Sequence, residues 1–285
     1  MMKLKKLLPR SLMHTFLFIT MLIWILPTLG LLITSFRPRE AVSNTGWWTV
    51  LNSPLKFTQF TLENYEQVIF SEGVGQAFFN SFMIAIPGTL IPLVIAAFAA
   101  FALAKLNFKG KGVFYAAVVG LLVIPLQMTF IPILKFFNSL GVSGTFPALW
   151  IAHTGYGLPL AVYMLHNFFS SLPDELFEAA FIDGASIWQT FTKLAVPLSL
   201  PAFASLFIFQ FLWVWNDFLV ALIFLGGTQD VAPITVKLSS LVGSHGQNWH
   251  LLTSAAFVSI VVPVIIFFSL QRYFVKGILA GSVKG

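Results

Sequence analysis

Long apolar stretches alternate with short polar segments along the whole chain. Six of them are long enough to cross about 30 Å of hydrocarbon, which takes about 20 helical residues. They cover residues 15–35, 77–104, 113–134, 145–169, 202–225 and 253–270. The first is longer than the apolar part of a secretory signal and has no Ala-x-Ala site after it, so we expect it to be a retained span. The pattern predicts an all-α integral membrane protein with six transmembrane helices in one domain, residues 1–285.

Composition agrees with a membrane protein. Of 285 residues, 58% are hydrophobic and only 9% are charged, whereas soluble domains carry about 25% charged residues. The 32 phenylalanines exceed what a core of this size would bury without lipid around it. The chain has no cysteine, which excludes disulfides, thiolate metal ligands and cysteine nucleophiles.

The basic residues indicate an orientation. In a six-span topology three basic segments face the same side: Lys3, Lys5, Lys6 and Arg10; Lys105, Lys109 and Lys111; Arg272, Lys276 and Lys284. The short loops of the other side contain only Lys135 and Lys237. Because basic loops stay in the cytoplasm, we expect both termini there, with residues 36–76 as an extracytoplasmic loop. No basic stripe with interleaved aromatics occurs, so nucleic acid is not expected as a partner.

The cytoplasmic loop of residues 170–201 contains two successive helix starts. Ser171 followed by Asp174 predicts one capping box, and Ser186 followed by Gln189 predicts another. Between them, Gly184 can take the left-handed conformation that ends a helix. We therefore expect a short helix over about 174–183 and then a sharp turn.

This short helix would carry apolar side chains outside the membrane, on overlapping faces: Leu176, Phe177, Ala180 and Phe181. It could lie on the lipid headgroups or bind another protein. Its loop has four acidic residues and one basic residue, Lys193. Interfacial helices usually show the opposite bias, so a protein partner is favoured.

The same loop carries a family signature. Glu178-Ala179-Ala180, then Asp183-Gly184-Ala185, then Pro197 resembles the EAA signature of the membrane subunits of binding-protein-dependent ABC importers. Residues 213–218 and the ending 271–285 are similar to the carbohydrate-specific branch that includes the maltose permease G subunit. Residues 243–252 resemble α-glucoside and glucosylglycerol permeases. The resemblance covers nearly the whole chain.

The resemblance implies a type I ABC importer permease in the bacterial inner membrane. Such a subunit pairs with a second related permease, two ATP-binding subunits and an extracytoplasmic sugar-binding protein, and here would form the path of an α-glucoside-type sugar. A cytoplasmic coupling helix would contact the ATPase through the signature residues: Glu178, Ala179, Ala180, Asp183, Gly184, Ala185 and Pro197. Gly110-Lys111-Gly112 lacks the rest of a Walker A motif. ATP and Mg²⁺ are therefore expected on the partner ATPase. We expect this chain to bind no cofactor and to catalyse no reaction.

Polar residues within the spans are candidates for the translocation path: Gln127, His153, Tyr156, Gln210, Asn216 and Asp217. Asp217 is the only carboxylate inside a predicted span, and because an acidic residue at a bilayer centre costs about 2.5–3.5 kcal/mol, it must face protein or water. We expect Gln210, Val214 and Asp217 to share one helical face. The alternative for each candidate is a structural hydrogen bond within the bundle.

On the outer face, residues 226–251 are candidates for contact with the binding protein, or else form an unengaged surface loop. The residues concerned are Ser244, His245, Gln247, Asn248 and Trp249.

An ion-coupled secondary transporter is the alternative function. It would need inverted repeats and a network of buried carboxylates, for which Asp217 alone is little support. The histidines at 153, 166, 245 and 250 fit no metal-binding spacing and fall on both sides of the membrane, so no metal site is expected.

Overall fold

A computed structural model describes residues 10–242 and 248–282, with side chains for 11–242 and 248–269. These residues form helices and no β-strand, as the sequence predicts. Short 3-10 turns lie at Trp47–Asn52, Phe57–Gln59, Leu121–Val123 and Gln229–Val231, and π-helical turns at Gln67–Ser71 and Phe191–Ala195. The α-helices are α1 (Arg10–Ser35), α2 (Arg39–Asn44), α3 (Glu63–Glu66), α4 (Val74–Lys105), α5 (Lys111–Gly120), α6 (Leu126–Ser139), α7 (Phe146–Ser171), α8 (Asp174–Ile182), α9 (Ile187–Thr190), α10 (Val196–Leu198), α11 (Leu200–Trp215), α12 (Leu219–Leu225), α13 (Ile234–Leu241) and α14 (Trp249–Ser282).

Three helices in the described part of the chain are long and apolar enough to cross a membrane: Ser11–Ser35, Val74–Lys105 and Trp249–Ser269. Two bent helix pairs raise the number to five if each pair is one span. Helix α7 has the length of a span, 26 residues, but is not one of these three apolar helices. The count of six spans therefore stays a prediction.

The third predicted span, 113–134, is not a straight helix. Helix α5 continues into the 3-10 turn Leu121–Val123. The axis of α6 is then bent by 101° from the axis of residues Lys111–Val123. The cause is Pro125, which has no backbone N–H to donate and forces the preceding Ile124 into extended backbone, with ψ of 116°.

The fifth predicted span, 202–225, is also interrupted. Helix α11 ends at Trp215, and α12 begins only at Leu219. Asp217 therefore does not continue a helical face with Gln210 and Val214, and that expectation is wrong. The apolar stretch is long enough for one span, but Asn216 and Asp217 interrupt its helical hydrogen bonding.

The chain divides into two compact units, Met1–Gly75 with Leu238–Ser259, and Gln76–Lys237 with Ile260–Gly285. In the first unit, Asn64 Nδ2 donates to the carbonyls of Ser35 (2.9 Å) and Arg37 (2.8 Å), which fixes the segment after α1. Ser254 Oγ also donates to Ser35 O, at 2.9 Å. The prediction of a single domain over residues 1–285 stays a prediction.

The second unit has two apolar cores rich in aromatic rings. One joins α6, α7, α11 and α12, with Phe137, Trp215 and Phe224 fully buried. The other joins α4 and α7 to the segment that follows α7, through Phe101, Phe169, Phe177, Phe191 and Leu206. This second core determines where α8 lies.

Candidate functional site

Helix α8 and the turn after it have the geometry that the sequence predicts. Asp183 caps the helix, and Gly184 follows in the left-handed region with φ of +80°. The N–H of Ala185 donates to Ala180 O (2.9 Å) and the N–H of Gly184 to Phe181 O (3.1 Å), which satisfies carbonyls at the end of the helix. The short helix and its glycine turn are confirmed.

The helix start after this turn is confirmed as well. Ser186 Oγ accepts from the N–H of Gln189 at 3.2 Å, and Gln189 Oε1 accepts from the N–H of Ser186 at 2.8 Å. Both halves of the capping box are present, so the chain is held in a defined path on either side of Gly184.

The first predicted capping box is wrong. Ser171 is the last residue of α7, and its hydroxyl donates to Phe168 O at 2.7 Å within its own helix. Pro173 occupies the N-cap of α8 and makes no side-chain cap. The Asp174 carboxylate is engaged elsewhere, because it accepts from Lys105.

Lys105, the last residue of α4, holds the start of α8. Its ammonium donates to Leu172 O (2.7 Å) and to Asp174 Oδ1 (2.6 Å), and it lies 4.6 Å from the centre of the Phe177 ring. The Lys105 side chain is 2% exposed and that of Asp174 is 77% exposed. The hydrogen bond from Lys105 and its charge lower the pKa of Asp174 below the ordinary value. The sequence analysis used Lys105 only to predict orientation. The ion pair could have been predicted from a basic residue at the end of one span and an acidic residue at the start of α8, both on the same side of the membrane.

Helix α8 is anchored by one aromatic side chain and is open on its other side. Phe177 is buried, with its ring centre 6.3 Å from that of Phe101 on α4. Leu176 and Phe181, expected on overlapping faces with Phe177, are exposed, and Ile182 is 86% exposed. Of the other signature residues, Glu178, Ala179 and Asp183 are exposed, and Ala180 and Ala185 are half-buried; Pro197 is exposed in α10. An apolar surface outside the predicted spans is thus left uncovered by the part of the chain that the structure describes.

Gln210 joins three helices inside the second unit. The side chain is buried on α11, and its Nε2 donates to Gly88 O on α4 (3.2 Å) and lies 3.5 Å from His153 O on α7. These contacts favour the structural alternative for Gln210.

Asp217 acts as a helix cap. Its Oδ2 accepts from the N–H of Ala221 (2.9 Å) and its Oδ1 from that of Val220 (3.3 Å), at the start of α12. The ring of His153 is fully buried, with Nε2 3.8 Å from Asp217 Oδ2. Asn216 is exposed and donates to Leu212 O at 2.7 Å. Asp217 therefore faces protein, and capping is the reason that a carboxylate is tolerated here.

A cavity of about 630 Å³ lies at the break between α5 and α6. Gln127 and Tyr156 line it, whereas the other four candidate path residues do not. The Tyr156 hydroxyl is 2.7 Å from Thr129 Oγ1, a lining residue that sequence reasoning missed. The wall is otherwise mostly apolar and includes Leu121, Leu122, Ile124, Pro125, Leu126, Ile133, Phe136, Phe137, Ile151, Ala152, Gly155, Pro159 and Trp213. Two of the six candidates therefore share one accessible space.

Three of the predicted outer-face residues, Ser244, His245 and Gln247, lie outside the described residues. Asn248 precedes α14, and its carbonyl accepts from the N–H of Leu252 at 2.9 Å. Trp249 begins α14 and is exposed. Within residues 10–242 and 248–282, no three His, Asp or Glu side chains are grouped so that they could hold a metal ion.

Comparison with known proteins shows the family to which the chain belongs. Residues 92–280 match the family described as binding-protein-dependent transport system inner membrane component. The osmoprotective compounds uptake permease protein GgtD of Synechocystis is 59% identical over 262 residues, covering 92% of this chain and 88% of the relative. The alpha-glucoside transport system permease protein AglG of Rhizobium meliloti is 40% identical, and the match covers 95% of this chain and 96% of the relative.

A solved structure has the same fold. A chain from a bacterial ABC transporter that imports the acidic polysaccharide alginate superimposes with a TM-score of 0.75 at 20% identity, covering 92% of this chain and 94% of that one. The resemblance to a type I ABC importer permease is thus confirmed, and the ion-coupled alternative is set aside. In this family ATP is hydrolysed by the partner ATPase and not by the permease. The chain belongs to the binding-protein-dependent transport system inner membrane components, the multi-pass inner-membrane permease subunits of ABC transporters.

Proposed function

We propose that this permease carries an α-glucoside-type sugar, such as a glucose disaccharide or an osmoprotective glucoside, into the cell. The observation that carries this proposal is the similarity over more than nine-tenths of the chain to permeases named for osmoprotective compounds and for alpha-glucosides. The cavity chemistry supports it. Its polar groups are an amide and hydroxyls beside aromatic rings, with no basic cluster for an anion and no carboxylates for a cation.

The working assembly contains this chain, a second related permease, two ATP-binding subunits that carry ATP and Mg²⁺, and an extracytoplasmic sugar-binding protein. Both termini are cytoplasmic in this arrangement, as the basic segments indicate. The permease itself needs no cofactor, because it supplies the path and the mechanical connection.

Coupling passes through α8 and the turn at Gly184. The side of α8 that carries Glu178, Ala179 and Ile182 is exposed, so it is available to a groove on the ATPase. Phe177 and Lys105 connect the opposite side to the end of α4. A displacement of α8 by the ATPase would therefore move the cytoplasmic end of a long membrane helix, since packed elements transmit displacement.

The translocation path includes the cavity at the α5–α6 break. Sugar hydroxyls would exchange hydrogen bonds with Gln127 and Tyr156, and the Trp213 ring would provide an apolar platform. Few polar contacts suit a path, because a transported molecule must leave as readily as it enters.

The outer loop contributes the contact with the binding protein through Ser244, His245, Gln247, Asn248 and Trp249. Deleting residues 243–247 should lower ATPase stimulation by the loaded binding protein. Unchanged stimulation and uptake in an assembled complex would contradict this part of the proposal.

The substrate is tested by uptake into proteoliposomes that contain the complete complex and internal ATP. We expect α-glucoside uptake that needs ATP and the binding protein and that persists when ion gradients are dissipated. Amino acids serve as controls. Uptake of amino acids without detectable uptake of any α-glucoside would overturn the substrate class and leave the family assignment intact.

A further inference from the structure

The segment after α1 carries large apolar side chains that no part of the described chain covers. Residues 41–55 contain no charged residue, although they lie outside every predicted span. Within residues 47–57 four apolar side chains are largely exposed: Trp48 (61%), Leu51 (64%), Leu55 (84%) and Phe57 (79%). Val50 is buried between them. Asn52, Ser53 and Lys56 are exposed beside them, so the segment presents these four apolar side chains outward among a few polar ones.

The depth of this segment follows from the contact between Trp47 and Gly30. The indole lies against the backbone of α1 so closely that a Cβ on Gly30 would be 2.6 Å from Trp47 Nε1. Twenty residues separate Gly30 from Arg10, the basic residue at the start of α1, and at 1.5 Å per residue they span about 30 Å. This equals the thickness of the hydrocarbon core. With Arg10 at one boundary and α1 along the bilayer normal, Trp47 would lie near the opposite boundary, beside a residue five positions before the end of the predicted span at Ser35.

Internal hydrogen bonds hold the segment at this depth. Arg37 is buried and donates to Thr45 O (3.2 Å), to Ala41 O (3.3 Å) and to Thr49 Oγ1 (3.2 Å). The N–H of Thr61 donates to Phe36 O at 2.6 Å, which returns the chain to the end of α1. The exposed apolar face is thus part of a folded element and not of an extended linker.

We propose that residues 47–57 are an interfacial membrane anchor, with Trp48, Leu51, Leu55 and Phe57 inserted between the lipids of the leaflet opposite Arg10. Interfacial elements bury apolar side chains about 5–10 Å into the boundary between headgroups and acyl chains, and Trp is enriched at this level. Ile23 and Trp24 on α1, the helix against which Trp47 packs, are also exposed. Exposed Lys56 borders the apolar face, where a cation is matched to lipid phosphate.

Two other occupants of this face are distinguished from lipid by experiment. The binding protein is water-soluble and approaches from the aqueous phase, whereas this face begins at the hydrocarbon boundary. The second permease could cover the face, but the segment would then be shielded from lipid as well as from water. These occupants therefore give different results in an accessibility measurement. That the leaflet is the outer one rests on the proposed orientation, and the lipid contact does not.

The experiment uses the absence of cysteine in the chain. Single substitutions Leu55→Cys and Phe57→Cys carry a nitroxide in the complete complex in nanodiscs, with partner chains free of reactive cysteine. The measurement is the collision rate with oxygen, which concentrates in lipid, and with a water-soluble nickel chelate. Ile23→Cys on α1 is the lipid control, and Glu63→Cys, exposed in the same loop, is the water control.

We expect Leu55→Cys and Phe57→Cys to resemble Ile23→Cys, with a higher ratio of oxygen to nickel collisions than Glu63→Cys. Protection from both reagents would assign the face to the second permease and overturn the anchor. A ratio like that of Glu63→Cys, lowered further by the binding protein, would also overturn it. The two positions are tested separately, so a failure of one variant to assemble leaves the other measurement. None of these outcomes depends on the transported sugar.

Discussion

Lys105 Nζ lies 2.6 Å from Asp174 Oδ1, across 69 residues of sequence, and joins the end of α4 to the first residue of α8. The same ammonium donates to Leu172 O and lies over the Phe177 ring, so its contacts converge on one short segment of the chain. Helix α8, the proposed coupling helix, is therefore attached to a long membrane helix by a buried cation, and not only by the chain that leads from α7.

Replacing Lys105 with Met should loosen this attachment while keeping the apolar stem. The carbonyl of Leu172 would lose its donor, which costs about 1–3 kcal/mol. Since 1.4 kcal/mol is about a factor of ten in an equilibrium, we expect about a tenfold loss of the seated arrangement of α8. The measurement is ATPase activity stimulated by the loaded binding protein, beside basal activity.

Lys109→Met is the matched control, because Lys109 is exposed in the same loop. We expect the control to keep full stimulation. Equal stimulation in Lys105→Met and the control would show that the attachment has no part in coupling.

Asp174 gives this attachment a defined pH dependence. Lys105 lowers the pKa of Asp174 in the folded state, so the contribution to stability is present above the ordinary pKa of Asp and is lost as pH falls through the lowered value. We expect coupling to be insensitive to this group between pH 6 and 8, and the Asp174→Asn variant to show reduced stimulation throughout that range. A variant that differs from the parent protein only below pH 5 would contradict this expectation.

Gly184→Val should disturb the turn through the backbone alone. A Cβ at Gly184 meets no atom within 4 Å, but φ is +80°, where a β-branched residue is strained by about 1–3 kcal/mol. We expect reduced copurification of the ATPase and reduced stimulation. Gly184→Asn is the control, because Asn tolerates the left-handed region. If Asn is as harmful as Val, the glycine is needed for close approach of the partner and not for its conformation.

Charge reversal should separate the two glutamates of α8. Glu178→Lys changes the signature residue proposed to contact the ATPase, whereas Glu175→Lys changes the first turn, beside the helix N-terminus. We expect Glu178→Lys to lower ATPase copurification strongly and Glu175→Lys to lower it little. Full copurification and full stimulation in both Glu178→Lys and Gly184→Val would remove α8 as the coupling element.

Tyr156→Phe should affect the path without affecting the fold. It removes the hydroxyl that pairs with Thr129 Oγ1 in the cavity and keeps the ring. We expect a changed KM for sugar uptake with unchanged basal ATPase activity. Tyr163→Phe, on the same helix but outside the cavity lining, is the control. An uptake profile identical in both variants would place the path elsewhere.

Local hydrogen bonding explains which predictions about the loop succeeded. The turn at Gly184 and the capping box of Ser186 and Gln189 connect residues no more than five positions apart, so their geometry is contained in the local sequence. Ser171 and Asp174 have the same spacing as a capping box, yet both are drawn away. Ser171 bonds within α7, and Asp174 bonds to a residue 69 positions earlier.

The sequence by itself determined that the chain lies in a membrane, that it is helical, which family it belongs to and where α8 lies. These features follow from overall composition, hydrophobic periodicity and short motifs, none of which needs contacts between distant residues. The tertiary structure alone decided that Lys105 holds α8, that Asp217 caps α12, and that Gln127 and Tyr156 share a cavity while Gln210 is buried. These roles depend on which distant backbone groups come within hydrogen-bond distance, and in a membrane bundle that depends on how kinked helices pack, because buried polar groups must find partners inside the protein.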